Sequence, residues 1–367
     1  MDPEKMKISM IGLVDIEGVQ GGIEQHVNML ARGLDCHEVT IYCRGKRIPS
    51  PSEHVRKVYV PTIRSKHLET PVYAFCATLH ALTQGQDIIH YHALAPAGNS
   101  WLPRMFRIPV VTTVHGLDYM RRKWGRIGRT YIRLCEQIAL KCSDRVIVAS
   151  RHLVDYYLEK NRRRTEYVPN CIEVKSLREP RMITEKYGLE GEGYILYVGR
   201  LVPEKGLDCL IAAYKMTDTG KKLVIAGASS HTGDYIKGLL THESDDIIFT
   251  GFVKGRELEE LYSNACLFVL PSEIEGQSIS LLEALSYGRN ALVSDIPENK
   301  MVAPDHVKTF KAGDASDLAE KLRTMVDEDP AYSEDAVSYI KLHHDVASMV
   351  ERTEKIYLEL MGRPPIA

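Results

Sequence analysis

The sequence predicts an α/β fold of two domains, each a parallel sheet covered by helices on both faces. Three observations carry that expectation. Short β-branched runs alternate with helix-periodic ones along nearly all of the 367 residues, the alternation runs through twice, and the stretch between the two sets lacks sustained apolar periodicity. Strands joined through helices pair in parallel and bury both faces, so each set reads as one Rossmann-like domain.

In the first half the strand-like runs are KISMIGL from Lys7, EVTIYC from Glu38, DIIHY from Asp87, PVVTTV from Pro109 and DRVIVAS from Asp144. Helical spacing lies between them, for example at Ile23, Val27, Leu30 and Leu34. The second half gives GYILYVG from Gly193, KLVIAG from Lys222, DIIFTG from Asp246, ACLFVLP from Ala265 and NALVSD from Asn290. The boundary falls between Pro169 and Gly193, where turn formers stand at both ends, which sets domains of 1–170 and 171–344. From about Ala336 the chain reads as one long closing helix through Tyr339, Leu342, Val346, Met349, Ile356 and Leu360, with two candidate docking sites, one of them the first domain, on which the part from about 345 to 367 could pack back. Ligands of open α/β sheets sit at strand carboxyl ends, so the expected site is a cleft between the two domains.

A net charge of −2, with 26% charged and 44% hydrophobic residues, describes a globular protein and excludes a general nucleic-acid binder, which needs a basic excess. No apolar run approaches the ~18 residues that cross a bilayer. Asp2, Glu4 and Asp15 interrupt the first apolar segment, which therefore reads as a strand and not as a signal peptide. Cys43, Cys76, Cys135, Cys209 and Cys266 lie in apolar segments without C-x-x-C pairs, as thiols of a reducing compartment do. The expected location is cytoplasmic.

Chemistry concentrates in SEIEGQSISLLEALSYG, from Ser272 to Gly288, where Glu275 and Glu283 stand eight positions apart across a loop entering a helix. The helix should start near Ser280 and stop at Gly288, leaving unpaired backbone N–H groups between the two carboxylates. Such amides hold a phosphate, while carboxylates accept sugar hydroxyls, and a nucleotide sugar offers both kinds of group. For Glu283, spacing alone favours a capping box with Ser280.

Gly199 ends a strand and leads through Arg200, Pro203, Glu204, Lys205 and Gly206 into the next helix, so two cations share one strand-to-helix loop. That suits a pyrophosphate, and a solvated loop is the plainer alternative. Gly21 and Gly22 open a helix without forming G-x-G-x-x-G, so they serve a turn or a close backbone approach to a ligand. His115 follows a strand and is placed for a cleft, although a buried, hydrogen-bonded histidine would look the same. His90 and His92 lack partners at convincing ligand spacing, and no metal site is expected. The run RRKWGRIGRTYIR from Arg121 to Arg133 carries no acid and reads either as a solvated helix face or, given Trp124 and Tyr131, as a surface for an anionic membrane.

Taken together, GGIEQHV, VHGLD, VPN, YVGRLVPEKG, VIAG, FTGFV and the E-x(7)-E element resemble retaining glycosyltransferases of family 4, over essentially the whole chain. The resemblance implies a GT-B fold and a retaining hexosyltransferase of the EC 2.4 class. Such an enzyme moves a hexosyl group from a UDP- or GDP-sugar held by the C-terminal domain to an acceptor hydroxyl held by the N-terminal one. It implies no metal and no other cofactor, and a glycan or lipid-linked acceptor; the charge excludes nucleic acid as a partner, and the membrane alternative for the basic run would give a peripheral place on the inner face of a membrane. The resemblance further implies that Arg200 and Lys205 hold the donor phosphates, Glu275 contacts the transferred sugar, Glu283 holds the ribose, which reverses the capping preference from spacing, and His115 lies by the sugar. Backbone at Gly276, Gln277, Ser278 and Ile279 would meet the pyrophosphate or sugar, and Gly22 would approach the phosphates. The chain departs from the family's usual E-G-F-G at Glu275-Gly276-Gln277-Ser278, and from P-N-G at Pro169-Asn170-Cys171. The alternatives are a nucleotide-sugar epimerase of similar architecture and a catalytically silent sugar-nucleotide binder.

Overall fold

The structure is a computed structural model that describes residues 5–16, 21–44, 47, 49–50, 52–63, 65, 68–122, 124–228, 233–326 and 332–362. It divides into two units, Met1–Cys171 with Val346–Ala367, and Ile172–Asp345.

Among the described residues the first unit holds seven parallel strands: β1 (Lys7–Ile11), β2 (Glu38–Cys43), β3 (Val55–Tyr59), β4 (Ile88–His92), β5 (Val110–Val114), β6 (Arg145–Val148) and β7 (Glu166–Tyr167), in the order β3-β2-β1-β4-β5-β6-β7. Neighbouring residues along each strand feed opposite faces. Ile8, Met10 and Ile41 join Val27, Leu30, Met349 and Tyr357 in one core. Ile11, Tyr42, Ile89 and Tyr91 join Tyr73, Ala74 and Ala77 in another. Burial of both faces is why the inner strands carry apolar residues at consecutive positions instead of alternating.

Among the described residues the second unit holds six parallel strands: β8 (Tyr194–Val198), β9 (Lys222–Ala226), β10 (Ile247–Gly251), β11 (Leu267–Leu270), β12 (Ala291–Ser294) and β13 (Lys308–Phe310), in the order β10-β9-β8-β11-β12-β13. Leu196, Val224, Phe268 and Val293 face the helix Ile279–Ser286, and Ile195, Leu223, Val269 and Leu292 face Leu207–Lys215 and Ala315–Val326. In both sheets the strand order reverses beside the unit's first strand, between β1 and β4 and between β8 and β11. Loops leaving the two strands at such a switch point diverge, which opens a crevice at their carboxyl ends.

Strands β3, β7 and β13 go beyond the sequence reading. All three are edge strands. One carries Arg56 and Lys57 at its middle, and the other two are two and three residues long, too short for a periodic signal. The single closing helix is corrected to two, Glu334–His343 and Val346–Leu360. Their break coincides with a contact remote in sequence: the His344 carbonyl accepts from the Ile172 N–H at 3.1 Å, and His344 lies at φ −129° instead of a helical angle. The apolar positions consequently serve two cores, Ile340 that of the second unit and Met349, Ile356 and Tyr357 that of the first. Leu342, counted in the expected stripe, is exposed. No helix among the described residues is long and apolar enough to cross a membrane.

Candidate active site

At the second unit's switch point two loops are pressed together. After β8 the Gly199 N–H still pairs with the Ala226 carbonyl at 3.0 Å, and the buried Tyr197 hydroxyl donates to the Arg200 carbonyl at 3.1 Å. Pro203–Lys205 then makes a single 3-10 turn, which Gly206 ends at φ +69°. A β-carbon on Gly206 would lie 2.1 Å from the Pro271 carbonyl oxygen, so only glycine lets this loop touch the end of β11. The contact is reinforced by the Glu273 N–H, which donates to the Glu204 carbonyl at 3.0 Å.

This packing sets Lys205 against Glu275. Their side chains, 11% and 9% exposed, form a direct ion pair across 70 positions of sequence. Holding both charges almost out of water is costly unless each satisfies the other, so the pair fixes the two loops together. Arg200, on the same loop, is half-buried.

Beyond Glu275 the chain turns through half-buried Gly276 and buried Gln277 and Ser278 into the helix Ile279–Ser286. Ser278 caps it, its Oγ accepting from the Leu281 N–H at 3.4 Å. The capping box of Ser280 and Glu283 is therefore corrected. Because the helix begins at Ile279, the third helical position is Leu281, and Glu283 lies in the second turn instead of the first. Its Oε2 accepts from the Tyr262 hydroxyl at 2.9 Å, and Tyr262 stacks on Tyr287 with ring centroids 5.6 Å apart. Burial, and then the Glu283 charge, hold the Tyr262 phenol well above its ordinary pKa, so it remains a donor to that carboxylate.

The first unit's switch point has a different chemistry. Gly21 caps the helix Gly22–Gly33 in an extended conformation, with Gly22 exposed at its head, and the Glu24 carboxylate occupies the space a Gly21 side chain would need. One turn on, His26 is buried. His92 ends β4 and His115 follows β5, with His92 Nδ1 and His115 Nε2 3.3 Å apart. The His26 ring meets both edge-on, its centroid 4.8 Å from that of His115 and 5.9 Å from that of His92. Gly12, at φ +139°, packs on this cluster so closely that a β-carbon would lie 2.0 Å from the His92 carbonyl oxygen. His90, tilted against His92 at 4.1 Å, has both ring nitrogens engaged, by the Tyr357 hydroxyl at 2.6 Å and the Thr113 hydroxyl at 2.7 Å. Desolvation dominates all four rings. It lowers His26 to about 4 and His90 to about 3, and sets His92 and His115 well below the ordinary range, so the cluster is neutral near pH 7.

The structure thus gathers Arg200, Lys205 and the Glu275 to Glu283 segment at one switch point, and Gly22 and His115 at the other. Sequence reasoning missed His26, Tyr262 and the part His92 plays. His26 left a faint signal, a polar residue beside Val27 and Leu30 on the apolar face of a helix. Tyr262 left none, because 21 residues and a strand separate it from Glu283. In the basic segment, Arg121 pairs with Asp118 at 3.1 Å and the Arg133 guanidinium lies 5.0 Å over the Tyr119 ring, whereas Arg122, Arg126 and Arg129 are exposed beside exposed Ile127 and Leu134. Lys123 lies outside the described residues.

Comparison with known proteins finds a separate family model for each half of the chain. Residues 181–342 match the family model of glycosyl transferases group 1, and residues 20–176 match that of glycosyltransferase family 4. The chain belongs to the GT-B glycosyltransferases. This GT-B enzyme is 28% identical, over 79% of its length and 81% of the relative's, to an uncharacterized glycosyltransferase of Methanocaldococcus jannaschii. It is 26% identical to the alpha-monoglucosyldiacylglycerol synthase of Streptococcus pneumoniae, over 83% of its own length and 74% of that protein's. Among solved structures, a sucrose-phosphate synthase from Thermosynechococcus elongatus superposes with a TM-score of 0.84 at 21% identity, covering 97% of this chain and 99% of the other. Anabaena HepE in complex with UDP-glucose does so with a TM-score of 0.78 at 14% identity, over 95% and 99%. At those identities the structural likeness establishes the fold. The epimerase alternative gains no support, since these relatives are transferases and synthases.

Proposed function

We propose that this glycosyltransferase moves a hexosyl group from a UDP- or GDP-sugar to an acceptor hydroxyl with retention of configuration, in glycolipid, polysaccharide or glycan assembly, and without a metal cofactor. The carrying observation is the meeting of the Arg200–Lys205 loop with Glu275 and the head of the Ile279–Ser286 helix at one strand-end crevice. On this reading Arg200, Lys205 and the amides near Gln277 to Ile279 hold the diphosphate, and their preorganised positive charge stabilises the phosphate as the anomeric bond breaks. The structural neighbour that binds UDP-glucose supports a nucleotide sugar as the donor.

Glu275 then takes hydroxyls of the transferred sugar. Its pairing with Lys205 links sugar and phosphate recognition, because a ligand that repositions one side chain releases the other. Glu283, oriented by Tyr262, takes the ribose hydroxyls. Neutral His115 offers hydrogen bonds to the sugar without a charge, and the exposed Gly22 at its helix head allows a close backbone approach. The acceptor hydroxyl attacks the face the leaving phosphate departs from, and that phosphate helps to take its proton.

The test is a panel of nucleotide sugars scored by thermal stabilisation, since a ligand that binds only the folded state raises its melting temperature by mass action. The stabilising sugar is then offered to acceptors and the anomer of the product is read by NMR. A nucleotide-sugar product formed with no acceptor, or an inverted anomer, overturns the reading.

A lipid-linked acceptor is favoured by the exposed cations Arg122, Arg126 and Arg129 beside Ile127 and Leu134 on one helix and its approach, which suit an anionic membrane surface. Sedimentation with anionic vesicles should fall as salt rises. No sedimentation even at low salt returns the acceptor to a water-soluble glycan.

A further inference from the structure

We propose that His26, His92 and His115 form a binding site for one divalent ion of the zinc class, which acts on this glycosyltransferase as an inhibitor. Among the described residues, one ring nitrogen from each of the three lies within 4.8 Å of the others. Imidazole nitrogens that share a tetrahedral ion at bonds of ~2.0–2.1 Å stand about 3.3 Å apart. His92 Nδ1 and His115 Nε2 already stand 3.3 Å apart. The remaining ring needs to shift by no more than about 1.5 Å to close the set.

Two further observations point to a ligand. His26 Nδ1 is buried without a hydrogen-bond partner, in a residue 1% exposed. A buried polar atom left unsatisfied is costly, and a bound ion that reorders the rings is one way to relieve it. The surroundings also supply what a metal site needs beyond its ligands. Asn170 hydrogen-bonds the His26 ring. His90, locked by Tyr357 and Thr113, backs His92 at 4.1 Å and fixes its plane. Such outer contacts orient ligating histidines. Three neutral imidazoles with a fourth position open to water form a known class of zinc set, and imidazole equally suits nickel and copper. Arg121 opposes a cation near His115, but its charge is offset by Asp118 at 3.1 Å.

Inhibition follows from His115. An ion holding its Nε2 removes the ring from the sugar contact assigned to it above, so the inhibitory part of the proposal rests on that reading, whereas binding does not.

Binding is therefore measured first, on the full chain without substrates, by calorimetric titration with Zn2+ and by the visible spectrum of bound Co2+. The expected result is one ion per chain with a nitrogen-rich tetrahedral Co2+ spectrum, and a loss of affinity of roughly tenfold or more in His26→Ala and in His92→Ala. Because the chain has eight free cysteines, thiolate-to-cobalt charge transfer, or unchanged affinity in both variants, assigns any bound ion to thiols and overturns the site. Failure of the wild type to bind stoichiometrically overturns it as well. His26→Gln and His92→Gln, compared by melting temperature in a chelator, separate lost ligation from lost folding. Inhibition of transfer by Zn2+, reversed by chelator and weakened in the same variants, is the second arm. Binding without inhibition retains the site and refutes the assignment of His115 to the sugar.

Discussion

The two units share one strand order and place opposite chemistry at the same point in it. Where β8 and β11 part, the second unit sets Arg200, Lys205 and Glu275, charged groups held at the mouth of a crevice. Where β1 and β4 part, the first unit sets His26, His92 and His115, which burial keeps neutral. A parallel sheet with a switch point provides a place, and the side chains delivered by its loops decide whether that place receives an anion or an uncharged polyol. The difference is one of desolvation. Lys205 and Glu275 can be nearly buried because each is the other's counter-ion, while the imidazoles have no carboxylate among them in the described residues and discharge instead.

The largest test of this comparison falls on the charged side. Lys205→Ala and Arg200→Ala should each lower kcat by about 10²–10³-fold, with a smaller effect on acceptor KM, because their charge matters most as the leaving phosphate gains its own. Near-normal turnover in both variants would place the phosphate elsewhere.

The next test falls on the neutral side. An unfolded histidine titrates near 6.5, and folded His26 is lowered to about 4, so as pH falls the unfolded chain takes up the proton first. The stability this ring contributes is complete above about pH 6.5 and is lost as pH falls toward 4, a loss of about 3 kcal/mol in all. Denaturant unfolding at pH 7.5 and pH 5, with chelator present, should show a fall in wild type that shrinks in His26→Asn. Equal pH dependence in the two proteins would mean that the ring is not desolvated as described.

The smallest effect separates the two glutamates. Glu275→Gln should lower kcat roughly tenfold with a modest loss of donor affinity, and Glu283→Gln should mainly weaken nucleotide-diphosphate binding. Tyr262→Phe should follow Glu283→Gln at lower amplitude, since it deletes only the hydroxyl that orients the carboxylate. A lowered melting temperature with unchanged affinity in Glu283→Gln would return that residue to a structural role.

Much of the fold was legible because buried parallel strands are written as continuous β-branched runs. EVTIYC is β2 residue for residue, and the other long strands differ only at their ends. What escaped was whatever lies at an edge or depends on a distant partner. VRKVY carries charges within a strand, and the helix break at His344 coincides with a hydrogen bond from Ile172, remote in sequence.

The candidate site divides the same way. By itself the sequence determined that Arg200 and Lys205 share a loop, that Glu275 and Glu283 flank a helix start, and that His115 follows a strand, because local spacing and strand ends are local facts. Only the tertiary structure decided that Lys205 reaches Glu275, that Ser278 and not Ser280 caps the helix, that Tyr262 holds Glu283, and that His26 and His92 close around His115. The Lys205–Glu275 pair and the histidine cluster join the ends of strands adjacent in the sheet and distant in the chain. Strand order is set by packing and by the handedness of the crossovers, which no local spacing records.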